Sequence, residues 1–360
     1  MKNYLSIKFK AFLLRFFTKK RTPNFNILKT KKILFLRYDR IGDMIITTPV
    51  FRELKLNRPK IQLDVLASKE NIDVIKYNPY ISKIYTNNKH NFFKDLITLF
   101  LLRKENYDLC IEFDHSVVPH IILRLLIIRP KKIISVKKDG RYSVPGRELK
   151  IYDYYTDREN NQHFKDIWLK TLKPIGVESK NSKYDIFLSD YSKNLAKKFL
   201  KDSLPCFKIF FNLEGAVKGK KIPFDDFVDI SKKIITNFSN VKIFVISSPK
   251  NYYSTKLNVD NISNKNIIMS FKTESILEAS ALLSHADIIV SPDTSIVHIA
   301  SAYNIPVVSI HEDNEDSFRL FSPTSDIRHT LFSKYSNSLL GYDKSKLIEF
   351  LIELIKTLKK

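Results

Sequence analysis

Short apolar runs alternate with amphipathic stretches through the first half of the chain. The apolar runs are predicted to be strands, and they lie near 33–37, 62–66, 81–85, 107–113 and 131–135. The stretches between and after them have helical spacing and lie near 43–57, 69–77, 90–105, 115–127 and 161–174. Strands that alternate with helices are typical of a parallel sheet covered by helices. We therefore expect an α/β fold in this half.

The same alternation starts again in the second half. Strands are predicted near 207–213, 241–247, 266–268, 287–291 and 306–310. Helices are predicted near 223–237, 250–258, 273–284, 294–303 and 343–358. A chain of 360 residues exceeds what one hydrophobic core usually organises. We expect two doubly wound, Rossmann-like domains that face each other across a cleft.

The pattern also gives approximate domain limits. We assign residues 1–30 to a basic amphipathic N-terminal segment and residues 31–176 to an N-terminal domain. A linker follows at 177–189, then a C-terminal domain at 190–342 and a C-terminal helix at 343–360. Within the first domain, the polar and tyrosine-rich stretch 137–157 is predicted to be a long loop. Long loops in compact domains are usually functional or disordered.

Composition adds a strong positive charge and excludes some kinds of site. The chain has 61 basic and 38 acidic residues, a formal net charge of +23, which favours anionic partners. The lysines are scattered, so a solvated surface accounts for most of this excess. There are only two cysteines, and no Cys-x-x-Cys, Asp-x-Asp or His-Glu-x-x-His motif occurs. We therefore predict no disulfide framework, no metal site and no bound cofactor.

The N-terminal segment has a distinct pattern. Apolar residues share one helical face, namely Leu5, Phe9, Phe12, Leu13, Phe16 and Phe17. Lysines and arginines surround that face, as in helices that lie in the interface of an anionic membrane. A helix packed on the protein's own surface explains the pattern equally well. No apolar run reaches the roughly 20 residues that span a bilayer.

A first candidate site follows the strand at 33–37. The segment Arg37–Asp43 is predicted to make a tight turn at Gly42 and then enter a helix. This places Asp43 at a helix N-terminus beside the carboxyl end of a strand, where such folds bind ligands. Asp43 is either a helix cap or a base that accepts a proton from an attacking hydroxyl.

A second turn of the same kind follows the strand at 287–291. Asp293, Thr294 and Ser295 would present hydroxyls and free backbone N–H groups at a helix start, which is a natural anion site. His298 lies one turn further on the same face. The alternative is that Asp293 caps the helix and His298 packs at the edge of the core.

A glycine- and lysine-rich loop, 215–221, lies between a strand and a helix. Lys220 and Lys221 in this loop can neutralise a diphosphate, although basic solvated loops are common. The loop lacks the spacing of a P-loop, and no Gly-x-Gly-x-x-Gly occurs among the 7 glycines. A dinucleotide oxidoreductase therefore loses support.

Four segments together resemble glycosyltransferase family 9, the heptosyltransferases that extend lipopolysaccharide core. They are Ile33–Pro49, His163–Gly176, Lys220–Pro223 and Ser291–Ala300. The resemblance implies a GT-B fold and an inverting, metal-independent transfer of sugar from a nucleotide diphosphate donor, typically ADP-heptose. It implies that Asp43 is the general base, with Arg40 and Gly42 on the acceptor side.

The same resemblance assigns the donor side. It implies that Lys220 or Lys221 stabilises the departing diphosphate and that Asp293, Thr294, Ser295 and His298 form the donor-binding turn. On the donor side the sequence departs from the family pattern at three places. Ser295 replaces a usual glycine, Ile222 replaces a common aromatic residue, and residues 311–314 replace a glycine-containing turn. These departures leave room for a hexose as the donor sugar.

We therefore expect a glycosyltransferase that transfers a sugar, heptose in the first instance, to a lipopolysaccharide or lipooligosaccharide core. Its partners would be a nucleotide-sugar donor, a lipid-anchored glycan acceptor and an anionic membrane surface at the cytoplasmic face of the inner membrane. Nucleic-acid binding is not expected, because only the charge favours it. The alternative is a catalytically silent member that binds acidic glycan or lipid as an assembly factor.

Overall fold

The computed structural model describes residues 2–17, 25–88, 91–142, 144–159, 162–201, 205–215, 219–335 and 338–359. The chain divides into two compact units, Met1–Ser182 and Lys183–Lys360. Within the described residues, each unit contains one sheet of six parallel strands. The limits predicted from the sequence for the linker and the two domains stay predictions.

The first unit alternates strands and helices. Its strands are β1 Lys32–Arg37, β2 Gln62–Ala67, β3 Lys83–Thr86, β4 Leu109–Glu112, β5 Lys132–Val136 and β6 Tyr154–Thr156. Its helices are α1 Lys2–Phe17, α2 Ile41–Asn57, α3 Ile72–Ile75, α4 Phe92–Lys104, α5 Pro119–Ile128 and α6 Phe164–Lys170. The sheet order is β3-β2-β1-β4-β5-β6.

The central strand β1 is apolar along its length because both faces of the sheet are covered. On one face, Leu34 and Leu36 join an apolar cluster that includes Leu99 of α4. On the other face, the ring of Phe35 meets the ring of Phe51 of α2 edge-on, with centroids 5.1 Å apart. A parallel strand between two helical layers reads as a continuous apolar run.

The second unit repeats the plan. Its strands are β7 Phe207–Asn212, β8 Val241–Ile246, β9 Ile267–Met269, β10 Ile288–Pro292, β11 Val307–His311 and β12 Arg328–Phe332. Its helices are α7 Asp190–Leu200, α8 Phe224–Asn237, α9 Tyr252–Asn261, α10 Ile276–Leu283, α11 Ser295–Ala302, α12 Glu315–Phe321 and α13 Lys344–Leu358. The sheet order is β12-β11-β10-β7-β8-β9.

The two sheets have the same topology, since the first, second and third strands of each unit lie on one side and the fourth, fifth and sixth on the other. The strand order reverses between β1 and β4 in the first unit and between β7 and β10 in the second. Ligands of such folds bind outside the carboxyl ends of the strands at these switch points. The prediction of two doubly wound α/β domains, of the GT-B class, is confirmed.

Helix α1 clarifies the two readings of the N-terminal segment. Ala11 and Leu14 are buried in the core of the first unit, whereas Phe9, Phe12 and Phe16 are between 51% and 62% exposed. The helix therefore packs on the first unit through Ala11 and Leu14, whereas the described members of the predicted apolar face stay more than half exposed. The side chains of the other members, Leu5, Leu13 and Phe17, lie outside the described residues.

Among the residues that the structure describes, no helix combines the length and the apolar character that a bilayer-spanning segment needs.

Candidate functional site

The turn after β1 brings the predicted base to the switch point of the first unit. Helix α2 begins at Ile41, so Asp43 is its third residue and Arg40 is the residue that caps it. The carboxylate of Asp43 accepts the backbone N–H of Arg40 at 3.4 Å. The predicted tight turn at Gly42 is wrong, because Gly42 is helical and the chain bends at Asp39. The side chain of Arg40 is exposed.

Arg37 organises this turn from within. Its guanidinium, 3% exposed, donates to Asp39 Oδ2 at 2.6 Å and lies 3.5 Å from Asp43 Oδ1. Nε donates to Thr47 Oγ1 at 3.0 Å, and the guanidinium lies over the ring of Trp168 at 4.1 Å. One buried cation therefore faces two carboxylates and is fixed on its other sides by a hydroxyl and an aromatic ring.

The end of β4, the neighbouring strand, adds another carboxylate. Burial, reinforced by Glu112, raises the pKa of Asp114 to about 6. Burial also raises the pKa of Asp39 to about 7, against the opposing effect of Arg37 and with the help of Asp43 and Asp114. Perturbed carboxyl groups that converge on one strand edge are typical of sites that move protons.

A buried asparagine fixes the backbone of the turn. Asn71 Nδ2 donates to the carbonyl oxygens of Arg37 and Asp39 at 3.1 and 3.4 Å. Its Oδ1 accepts the N–H of Ser68 at 2.8 Å, which ties the end of β2 to the end of β1. The sequence alone assigns no role to Asn71, Asp39 or Asp114. Asp39 and Asp114 lie within two residues of the end of a predicted strand, which was the available signal for them, whereas Asn71 lies in a predicted helix and had no such signal.

A prediction for stability follows from the pKa of Asp39. Folded protein keeps the Asp39 proton between the ordinary value near 3.8 and about 7, whereas unfolded protein has lost it. Stability therefore falls as pH rises through this window, because the folded state binds more protons. Asn does not titrate, so we expect Asp39→Asn to raise the melting temperature relative to wild type more at about pH 8 than at about pH 5. The same difference in melting temperature at both pH values would contradict the raised pKa of Asp39.

A cavity of about 850 Å³ lies beside the loop that follows β5. Its lining includes Lys137, Arg141, Tyr142 and Tyr155. This volume is in the range of small-molecule sites, and the lining has mixed charge, since it also includes Asp139 and Asp157. The predicted long loop 137–157 is thus partly structured, since it contains β6 and a short 3-10 turn at Gly146–Glu148.

The switch point of the second unit holds the predicted donor turn. Asn212, at the end of β7, donates to Ser291 Oγ at 3.0 Å and to Thr294 Oγ1 at 3.2 Å. Thr294 caps α11, and its hydroxyl accepts the N–H of Ile296 at 3.3 Å. The alternative that Asp293 caps the helix is therefore wrong. The two central strands are joined through one amide side chain beside a helix start.

The other predicted donor residues are placed by the same helix. Ser295 is the first residue of α11 and is partly exposed together with Asp293 and Thr294. His298, one turn further, is buried, and its ring meets the ring of Tyr184 edge-on at 6.3 Å. Three of the four predicted residues thus lie at the start of α11, where a helix N-terminus suits an anion, and the fourth, His298, is buried.

The structure separates the two candidate lysines. Lys220 Nζ lies 2.7 Å from Glu312 Oε1, at the end of β11. Beside this pair, burial lowers the pKa of His311 to about 4, so that the imidazole is neutral at pH 7. The side chain of Lys221 is exposed. The central part of the predicted loop, Ala216–Lys218, lies outside the described residues.

Gly215 sets the position of Lys220. A Cβ atom at residue 215 would lie 1.6 Å from the carbonyl oxygen of Lys220. We expect Gly215→Ala to cost about 1–3 kcal/mol of stability, as overpacking does, and to weaken nucleotide binding by displacing Lys220. Thermal melting with and without nucleoside diphosphate measures both effects, with Gly219→Ala at an exposed position as control. Equal melting of the two variants would contradict the close approach.

Within the described parts of the chain, no group of three or more His, Cys, Asp or Glu side chains is arranged to hold a metal ion. The expectations that the reaction needs no metal and no cofactor stay predictions.

Comparisons with known proteins show the family of this chain. The profile of glycosyltransferase family 9 (heptosyltransferase) matches residues 101–338. Lipopolysaccharide heptosyltransferase 3 of Escherichia coli K12 is 24% identical over 283 residues, which cover 75% of this chain and 79% of that protein.

Two solved structures share the fold. The glycosyl transferase family 9 protein of Veillonella parvula superposes with a TM-score of 0.75 at 17% identity, covering 92% of this chain and 98% of that one. E. coli ADP-heptose lps heptosyltransferase II superposes with a TM-score of 0.69 at 16% identity, covering 91% and 100%. The family match spans more than half of the chain, so this protein is an enzyme of the glycosyltransferase class and belongs to glycosyltransferase family 9.

Proposed function

We propose that this enzyme transfers heptose from ADP-heptose to the core of a lipopolysaccharide or lipooligosaccharide. The observation that carries the proposal is the family match, combined with a carboxylate at the switch point of the first unit and a helix start beside a lysine in the second. The name of the E. coli K12 relative supports the acceptor, and that of the E. coli structure supports the donor.

The proposed first step is removal of a proton from the acceptor. Asp43 accepts the proton of an acceptor hydroxyl as that oxygen forms a bond to the anomeric carbon of the donor. The bond from this carbon to the diphosphate oxygen breaks on the opposite side, so the anomeric configuration inverts. Arg37 holds the Asp43 carboxylate in place, and Arg40 and Gly42 are the proposed acceptor-side neighbours.

The proposed role of the second unit is to stabilise the leaving diphosphate. Lys220 supplies positive charge, and the positive end of the α11 helix dipole adds to it. Asp293, Thr294, Ser295 and His298 complete the donor turn. We favour Lys220 over Lys221, because Lys220 is held near the ends of β10 and β11 by Glu312 whereas Lys221 is exposed.

A transfer assay tests this function directly. Purified enzyme is incubated with ADP-heptose and a deacylated core oligosaccharide, and the product is identified by mass and by the NMR coupling of its new anomeric proton. ADP-glucose, GDP-mannose and UDP-glucose are the competing donors. Chelator in every reaction tests the proposed independence of metal. We expect transfer from ADP-heptose with inverted configuration, and preferential transfer from another nucleotide sugar would replace heptose in the proposal.

One observation supports a second candidate, a catalytically silent member that binds acidic glycan or lipid. The carboxylate of Glu312 forms an ion pair with Lys220. Glu312 belongs to the segment 311–314, which departs from the family pattern. If this ion pair persists with every nucleotide, the lysine is not available to a diphosphate. Inactivity with all donors, together with no rise in melting temperature on addition of ADP, GDP or UDP, would favour this candidate.

We also propose that the enzyme acts at the cytoplasmic face of the inner membrane as a peripheral protein. The support is α1, which carries exposed phenylalanines and basic side chains and no acidic residue. Such helices lie in the interface of anionic membranes. Deletion of residues 1–25 should lower binding to anionic vesicles, and unchanged binding would remove α1 from this role.

A further inference from the structure

A second apolar surface lies on α4, away from the two strand-end sites. Five large apolar side chains of this helix are between 48% and 76% exposed. They are Phe92, Phe93, Ile97, Phe100 and Leu101. Phe93, Ile97 and Leu101 follow one another at intervals of four, so they form a stripe along one face of the helix. Soluble proteins rarely expose a contiguous apolar patch without an interaction that uses it.

The opposite face of α4 is buried, so the stripe faces away from the core. Leu99 and Leu102 are buried in the core of the first unit, where α4 packs against α5. At the start of the helix, the Asn91 side chain accepts the N–H of Lys94 at 2.9 Å and caps it. The helix is therefore anchored and capped, so the exposed side chains belong to its folded form.

The exposed charged side chains of α4 all have one sign. Lys94 and Lys104 are exposed at the two ends of α4. The single acidic residue of the helix, Asp95, pairs with Arg124 of α5 at 2.8 Å. Along α4, all of which the structure describes, no acidic side chain is exposed. An apolar stripe between exposed lysines is complementary to a lipid surface with anionic headgroups and acyl chains.

From this arrangement we infer that α4 is a lipid-contacting surface, whose exposed apolar side chains insert into the interface of an anionic bilayer. It gives the first unit a membrane contact in addition to the one proposed for α1. This inference rests on the proposed membrane location of the enzyme and does not depend on the donor, the acceptor or the catalytic residues. A second copy of this chain and a partner protein are the competing occupants of the same stripe.

The test compares two double variants of the full-length protein. Phe93→Ser/Ile97→Ser removes two exposed side chains one turn apart on α4. Tyr253→Ser/Leu257→Ser is the matched control, since these residues of α9 have the same spacing and are 72% and 62% exposed. Binding is measured by sedimentation with vesicles of phosphatidylethanolamine and phosphatidylglycerol and with neutral phosphatidylcholine vesicles.

We expect the α4 variant to lose about tenfold or more in affinity for the anionic vesicles, because two apolar groups leave the interface. The α9 variant should bind as wild type does. Lys94→Glu/Lys104→Glu should weaken binding to anionic vesicles and leave neutral vesicles unaffected. Unchanged vesicle binding of the α4 variant would overturn the inference.

Two further measurements separate this inference from the proposed function and from the other occupants. The rate of sugar transfer to a deacylated, soluble acceptor should be the same for wild type and the α4 variant. No transfer by either protein would contradict the proposed glycosyltransfer and leave the α4 inference unaffected. Equal melting temperatures verify the fold of each variant. Sedimentation velocity without lipid measures the oligomeric state. A dimeric wild type and a monomeric α4 variant that still binds vesicles fully would show that the stripe contacts a second copy of the chain instead.

Discussion

Replacement of Asp43 by Asn should reduce kcat roughly 10²–10⁴-fold, the contribution that a positioned general base makes. Asn has the shape of Asp and still accepts the backbone N–H of Arg40, so the capping interaction is retained. It has no proton-accepting carboxylate, so the attacking hydroxyl keeps its proton. The measurement is single-turnover transfer with saturating donor and acceptor, since this separates the chemical step from product release.

The neighbouring carboxylate provides the matched control for this prediction. Asp39 contacts the same guanidinium of Arg37 at 2.6 Å, closer than the 3.5 Å of Asp43. Asp39→Asn therefore changes the charge of the turn without removing the proposed base, and we expect a much smaller loss of kcat. The donor should raise the melting temperature of both variants equally. Normal turnover of Asp43→Asn with a large loss in Asp39→Asn would transfer the role to Asp39.

The second large effect is expected for Lys220→Met. Loss of one group that stabilises developing charge costs roughly 10²–10³-fold in rate, and the departing diphosphate is the most highly charged group in the proposed reaction. Met keeps the aliphatic stem of the side chain and removes its charge. We expect kcat/KM for the nucleotide sugar to fall within this range, measured from initial rates over a series of donor concentrations.

Two further variants make the lysine assignment specific. Lys221→Met removes an equal charge from the adjacent, exposed position and should change kcat/KM far less. Glu312→Gln removes the carboxylate that lies 2.7 Å from Lys220 Nζ, so a diphosphate no longer competes with it for the lysine. We expect this variant to bind ADP more tightly than wild type does. A larger loss in Lys221→Met than in Lys220→Met would reverse the assignment.

The central strands of both sheets could be predicted from the sequence because burial on both faces makes them continuously apolar. The strand predicted near 33–37 is Lys32–Arg37 in the structure. Of the described edge strands, β3 and β9 were also predicted, whereas β12 and β6 give a weaker signal. The strand Arg328–Phe332 is of mixed polarity and exposed at both ends, with Leu331 buried, and Tyr154–Thr156 has only three residues. Both were missed, as was the helix Asp190–Leu200 that follows the predicted linker.

The candidate sites were predictable where they depend on one turn. Asp43 and Thr294 lie at strand-to-helix turns that the apolar pattern alone locates. The partners that position them come from distant parts of the chain. Trp168 lies over Arg37, and Glu312 pairs with Lys220, although neither pair shares a sequence motif. Such contacts depend on tertiary packing, which periodicity and spacing do not encode.

The stacking of Arg37 on Trp168 has a practical consequence. The chain contains one tryptophan, so all indole emission originates 4.1 Å from the guanidinium that holds Asp43. A ligand that shifts this guanidinium changes the electrostatic field at the indole ring and hence the wavelength of maximum tryptophan fluorescence. The protein thus carries a built-in optical probe of the first unit's strand-end site, with no label required.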